Sequence, residues 1–220
     1  MSSLREKVRL VLESLVTALL FGLQSIVYGD WAISVMAIPL LPYLVWLAND
    51  FMQGVSPNLE WDIYLLFFDR EFMVGRIIAI VGVVIFLMAA FQFLRERAKG
   101  KRLIKTGLYS LVRHPQYFGI IIITIGLNVM VMVLTIGSNQ LELIFLWLVQ
   151  VAGYMILAKY EEKHLEKEFA EQFRRYEATV PFMFPIKCPS KIPETMFTLL
   201  IAVIIAFIFL TFPFNLLRLH

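Results

Sequence analysis

Long apolar runs alternate with short polar stretches along this chain. Six runs read as membrane-spanning helices: Val8–Tyr28, Trp31–Ala48, Val74–Leu94, Tyr117–Ile136, Leu141–Ala158 and Met196–Phe214. Each holds about 18–21 residues, enough at helical rise to cross a hydrocarbon core of roughly 30 Å. Gly29-Asp30 and Gly137-Ser138-Asn139-Gln140 are turn-like breaks, so the first two and the fourth and fifth helices are expected to form antiparallel hairpins. Trp31, Trp46 and Trp147 lie toward span ends, where amphipathic rings prefer to sit. The first run is not followed by a small-residue cleavage site and reads as a retained helix. In the second half, Glu162, Leu165, Phe169, Phe173 and Tyr176 recur at steps of three and four, the pattern of one helix face. No Gly or Pro separates Tyr154 from Thr179, so this amphipathic helix is expected to continue from the fifth span and to end at Val180-Pro181, with Glu171 and Arg175 paired on another face.

The fold class predicted is therefore all-α: a polytopic helical membrane protein with five to six transmembrane helices and a cytosolic C-terminal amphipathic helix. Composition supports it, since hydrophobic residues make up 60% of the chain and charged ones 17%, where a soluble domain is about half apolar and a quarter charged. Charge then sets orientation. Arg95–Pro115 and Lys159–Pro193 hold fourteen of the twenty Lys and Arg residues, which places both stretches on the cytoplasmic side. Arg5, Lys7 and Arg9 pull the other way at the N-terminus and leave its side open. A net charge of +3 gives no footing for nucleic-acid binding. Cys188 is the only cysteine, with no disulfide partner in the chain and no Cys/His cluster of zinc spacing, so no metal is expected. Three regions follow: N-terminal helices in 1–94, a catalytic region in 95–195 and a last helix in 196–220.

Candidate chemistry lies at the cytoplasmic ends of the spans. Polar residues inside them, Arg76, Gln92, Asn128, Glu142 and Gln150, read mostly as snorkelling or cross-helix bonds. The stretch from Thr106 to Gly119 is different. Pro115 suits a first helical turn, the helix start offers unpaired N–H groups to an anion, Arg113 adds a positive fork, and His114 and Tyr117 add hydrogen-bonding tips. A plain helix cap with Arg113 anchored among lipid headgroups is the other reading. Glu161-Glu162, at the exit of the fifth span, needs either cationic neighbours such as Lys159 and Lys163 or a cationic ligand. A dipolar ligand with a carboxylate, an ammonium or sulfonium, and an aromatic base would suit both sets.

The order Gly-x-Tyr-x-x-x-Arg-His-Pro-x-Tyr-x-Gly (107–119), then Glu-Glu-x-x-Leu-x-x-x-Phe (161–169) and Tyr-x-x-x-Val-Pro (176–181), resembles the isoprenylcysteine carboxyl methyltransferase and phospholipid methyltransferase superfamily over about residues 101–185. The resemblance implies an integral membrane methyltransferase using S-adenosyl-L-methionine. It implies that Tyr109, His114, Pro115, Gln116, Tyr117, Glu161 and Glu162 bind the cofactor; Arg113 and Glu162 are the candidate catalytic residues. Tyr176 and Val180-Pro181 would close over the site. Its partners would be the lipid bilayer and a lipophilic or lipidated methyl acceptor; oligomeric state is not legible. Four departures stand out: Leu108 where the family often has Pro, Ala170 where it often has Gly, Phe182 where Arg often follows Val-Pro, and Leu157 where carboxyl-methylating members carry an arginine. They weigh against a carboxylate acceptor. The alternatives are an NADPH-dependent sterol-type reductase, whose family shares an Arg-His-x-x-Tyr segment, and a non-catalytic transporter or scaffold.

Overall fold

A computed structural model describes residues 38–46, 64, 67–134 and 140–216, with side chains to 132 and from 140 to 208 in the second half. The chain divides into two compact units, Met1–Val55 and Ser56–His220. In the first, the described part is a 3-10 turn, Ile38–Leu40, running into helical residues 41–46 within the expected span Trp31–Ala48. Val8–Tyr28, the Gly29-Asp30 turn and Gly137–Asn139 lie outside the described residues.

The second unit contains α1 (Met73–Ala98), a 3-10 turn (Gly107–Ser110), α2 (Pro115–Leu134), α3 (Gln140–Thr179) and α4 (Glu194–Leu216). Every expected span that falls on described residues here is helical, and no strand occurs among them. Among the described residues three helices, α1, α2 and α3, are long and apolar enough to cross a membrane. The apolar part of α4, measured over Glu194–Ile208, is shorter.

α1 and α2 pack through glycine. Gly75, Gly82, Ala89 and Glu96 are buried at every seventh position of α1, two turns apart. Gly119 and Gly126 answer them on α2. A Cβ placed on Gly82 would lie 2.5 Å from the Ile123 amide nitrogen, and one on Gly119 2.7 Å from that of Phe86. Backbones therefore touch, which is how helices associate where lipid removes the hydrophobic drive. The other face of α1, including Ile80, Leu87 and Phe91, is exposed.

α2 meets α3 around Thr124. Its hydroxyl accepts from Trp147 Nε1 at 3.1 Å and from Gln150 Nε2 at 3.4 Å, and donates to the Ile120 carbonyl. Gln150 thus bonds across helices as read from sequence. Trp147 does not behave as an interfacial ring: it is fully buried, because Thr124 offers its N–H a partner between the helices.

α3 has 40 residues, about 60 Å if straight and twice a hydrocarbon core, so only its apolar first part, 141–158, can lie in the bilayer. It does continue from the span and stops before Val180-Pro181, and Arg175 Nε donates to Glu171 Oε1 at 3.0 Å. It is not straight. Ala170 sits at φ 35°, ψ −106°, which no helix contains. Residues 162 and 177 would be about 22 Å apart on a straight helix. Their carboxylates nonetheless touch the same nitrogen of Arg113. Residues 171–179 therefore fold back at Ala170, and the apolar face read as one stripe closes on itself. Phe173, Tyr176 and Val180 bury against Leu103, Leu165 and Phe169.

Candidate functional site

The site forms where the loop before α2 is gripped from two sides. From α1, the Gln92 side chain donates to the Thr106 carbonyl and accepts from the Leu108 N–H at 3.1 Å, fixing the Gly107–Ser110 turn. From the folded-back arm of α3, the Tyr176 hydroxyl donates to the Tyr109 carbonyl at 2.6 Å. The Arg113 N–H donates to Pro181 at 2.9 Å. Phe118 N–H bonds the His114 carbonyl, so α2 starts immediately after His114 with Pro115 at its first position, as the sequence implies.

Arg113 does not reach for headgroups. Its side chain is 1% exposed and takes three carboxylates: Nη1 donates to Glu162 at 2.5 Å and Glu177 at 3.1 Å, and Nη2 to Glu194 at the start of α4. The anchor-in-lipid reading is excluded by that burial. Glu162, also buried, meets His114 Nε2 at 3.3 Å and Lys159 Nζ at 2.6 Å. Lys159 reaches Glu194 at 3.3 Å as well. The neighbouring Glu161 is half-exposed; it accepts from the Tyr117 hydroxyl and faces His114 Nδ1 at 3.5 Å. The adjacent carboxylates thus have different surroundings: Glu162 is enclosed by cations, while Glu161 keeps a solvent-facing side.

Aromatic rings wall the cluster. Tyr117 stacks between His114, at 5.6 Å, and Tyr154, at 5.0 Å. Phe182 takes an edge contact from His114 and lies under both cations, 5.3 Å from the Arg113 guanidinium carbon and 4.4 Å from Lys159 Nζ. Phe182, the residue after Val180-Pro181, is thus an aromatic floor beneath two cations.

Electrostatics follows from the geometry. Burial disfavours a charged His114, but its bonds to Glu161 and Glu162 outweigh that and raise its pKa above 6.5. Burial alone would raise the Glu162 carboxyl; His114, Arg113 and Lys159 reverse this and hold it below 4.5. Burial, then Glu161 and Tyr176, push the Tyr109 phenol upward, so it is neutral. Four carboxylates meet two permanent cations and one histidine, which leaves a negative excess. Two buried donors, the Tyr109 hydroxyl and Arg113 Nε, have no hydrogen-bond partner among the described residues. Most buried polar groups are paired, so an orphaned donor calls for a partner such as water or a ligand; Gln150 Oε1, away from this site, is also without one among the described residues.

Of the residues singled out from sequence, Arg113, His114, Tyr117, Glu161 and Glu162 come together in direct contact. Tyr109 and Pro115 are buried at the same turn, and Gln116 is half-buried. Glu177 and Glu194 were not singled out, though they complete the Arg113 shell. Glu177 follows Tyr176 on a helix rich in exposed charge, and Glu194 looks like an ordinary acidic first-turn residue. Lys159 was read only as a nearby cation.

Among family models, residues 71–172 match the one described as phospholipid methyltransferase. No curated protein matches the chain, nor does any solved structure.

Proposed function

We propose, from a chain whose residues 71–172 match the phospholipid methyltransferase family model, that this is a multi-pass membrane methyltransferase using S-adenosyl-L-methionine at its cytoplasmic face, on a lipophilic acceptor. One observation carries the reading. Two motifs 49 residues apart meet around Arg113 and Glu162 and leave unused hydrogen-bonding capacity and surplus negative charge beside them.

The residues present fit the cofactor. Glu161, half-exposed and oriented by Tyr117 and His114, suits its cationic groups. The bare Arg113 Nε suits its carboxylate, and the Tyr109 hydroxyl can hydrogen-bond the nucleoside. Pro115, Gln116 and the stacked Tyr117 complete the wall. When bound, the cofactor supplies an electrophilic methyl group on a positively charged sulfur.

The chain's part is placement. Glu162 holds Arg113, His114 and Lys159 in register, and the arm after Ala170 covers the loop, excluding water. Alignment of reacting atoms and exclusion of water are the main sources of rate for direct displacement. A carboxylate or thiolate acceptor needs no base. An amine must lose a proton, and Glu161, the carboxylate with an open side, is the group placed to take it. The five-to-six-span topology with both basic stretches inside, and the division at 94/95 and 195/196, belong to the same proposal.

Thermal unfolding of the purified protein in detergent tests it. S-adenosylhomocysteine at a hundredfold excess over its dissociation constant should add about 2.7 kcal/mol by mass action. NADPH should add nothing. Stabilisation by NADPH alone would replace the methyltransferase reading with the reductase one.

A further inference from the structure

Glu194 lies beyond the family segment, on the last helix, yet it occupies the centre of the site. We propose that it is a displaceable latch: it occupies the prong of Arg113 that a ligand carboxylate takes, so cofactor binding releases the start of α4. This rests on the functional reading above.

The geometry of one guanidinium carries the argument. Glu162 and Glu177 share Nη1, and Glu194 has Nη2 to itself. Nε is buried and without a partner among the described residues. Nε–H and Nη2–H point the same way from a guanidinium and form its side-on fork, the pair that a single carboxylate accepts in parallel. Glu194 uses half of that fork and leaves the other half bare. A carboxylate seated on both would satisfy the orphan donor and compete with Glu194 for Nη2.

Displacing Glu194 leaves little unpaid. Lys159 Nζ is already 3.3 Å from Glu194 and can keep it while Arg113 changes partner. Glu194 is more loosely enclosed than Glu162, with 28% of its side chain exposed against 5%, though less exposed than Glu177 at 38%. Pro193 precedes it, and a small apolar cleft between α4 and residues 182–188, lined by Phe184, Ile186, Phe197 and Ile201, adjoins it. Release of the first turn of α4 would widen that cleft, whose apolar lining suits a lipophilic acceptor. Glu194 is thus a positioning residue that acts through Arg113 and couples cofactor binding to acceptor entry.

The test compares two ligands on full-length protein in detergent, by calorimetry. S-adenosylhomocysteine carries the amino-acid arm; methylthioadenosine lacks it. Glu194→Gln removes the competing charge, so S-adenosylhomocysteine should bind tighter, by about tenfold if Glu194 holds the fork nine-tenths of the time. Methylthioadenosine affinity should not move. Should Glu194→Gln not yield folded protein, Glu194→Asp keeps the charge, shortens the reach and should shift the same ratio in the same direction. An equal change for both ligands would mean general loosening of α4 and overturns the latch. So does an unchanged or weaker S-adenosylhomocysteine affinity in a variant that binds methylthioadenosine normally. If wild type binds neither ligand, the cofactor assignment itself has failed, and the latch with it.

Discussion

Replacing Ala170 with glycine should stabilise this protein, although glycine in a helix ordinarily does the opposite. An L-residue held at positive φ costs about 1–2 kcal/mol, because its Cβ crowds the carbonyl. At φ 35°, ψ −106°, Ala170 also lies outside the small left-handed basin, so the upper part of that range applies. Glycine removes the clash but gives the unfolded chain more freedom, worth about 0.4–1 kcal/mol against it. The balance is about 0.5–1 kcal/mol in favour of Ala170→Gly, or about 1–4 °C in Tm for a chain of this size. The assay is thermal unfolding in one detergent, beside Lys167→Gly, an exposed position of the same helix before the kink. That control should lose about 0.5–1 kcal/mol. If Ala170→Gly is destabilised as much as Lys167→Gly, residue 170 is ordinary helix. The arm carrying Tyr176 and Glu177 then does not fold back, and the closure over Arg113 described here is wrong.

The two adjacent glutamates should separate by readout. Glu161→Gln should weaken S-adenosylmethionine binding about ten- to a hundredfold, the loss of a hydrogen bond to a charged group, with little change in Tm. Glu162→Gln should lower stability by on the order of 3 kcal/mol, since it strips buried Arg113 of a partner; equal behaviour of the two variants in both assays refutes the division. The His114–Glu162 contact predicts a pH window. His114 is raised above 6.5, so its contribution is full below 6.5 and is lost as pH climbs through its folded value. Glu162 is depressed, so its contribution is present above 4.5 and lost as pH falls through its own lower value. The difference in Tm between wild type and His114→Gln should therefore be greatest between 4.5 and 6.5 and shrink above; a difference that grows with alkalinity contradicts the pairing. Gly82→Ala, whose new methyl meets the Ile123 amide, should cost about 1–3 kcal/mol by overpacking, read as a lowered Tm. A neutral result would mean that α1 and α2 are not in backbone contact.

Much of this was legible before any coordinates. Span-length apolar runs announced α1 to α4, and periodicity at steps of three and four found the face that Phe173 and Tyr176 bury. The Arg113-His114-Pro115 and Glu161-Glu162 motifs pointed to side chains that the fold brings within bonding distance. What escaped shares a physical cause. A stripe of glycine at seven-residue spacing has no side chain to mark it, and in an apolar helix hydrophobicity drowns it. Trp147 has the composition of an interfacial ring, and only Thr124, 23 residues away, decides otherwise. The kink at Ala170 carries no glycine or proline signal. It is imposed from outside, by Arg113 drawing Glu177 and by the burial of Phe173 and Tyr176. Glu177 and Glu194 look like ordinary surface charge until a distant guanidinium selects them.

That guanidinium also fixes an order of assembly. Arg113 is made before any of its partners, and synthesis then delivers Glu162, Glu177 and Glu194 at separations of 49, 64 and 81 residues. Loop closure grows only logarithmically with length, about 0.6 kcal/mol per doubling, so the last contact is scarcely harder to reach than the first. The demanding interval is the earliest one. Until α3 has been made as far as Glu162, Arg113 has none of the three carboxylates that surround it in the finished fold. Arrival of Glu162 lets it settle, and Glu194 joins a charge already balanced. The cluster therefore closes around Arg113 from the second half of the chain, with Glu162 first in sequence and Glu194 last.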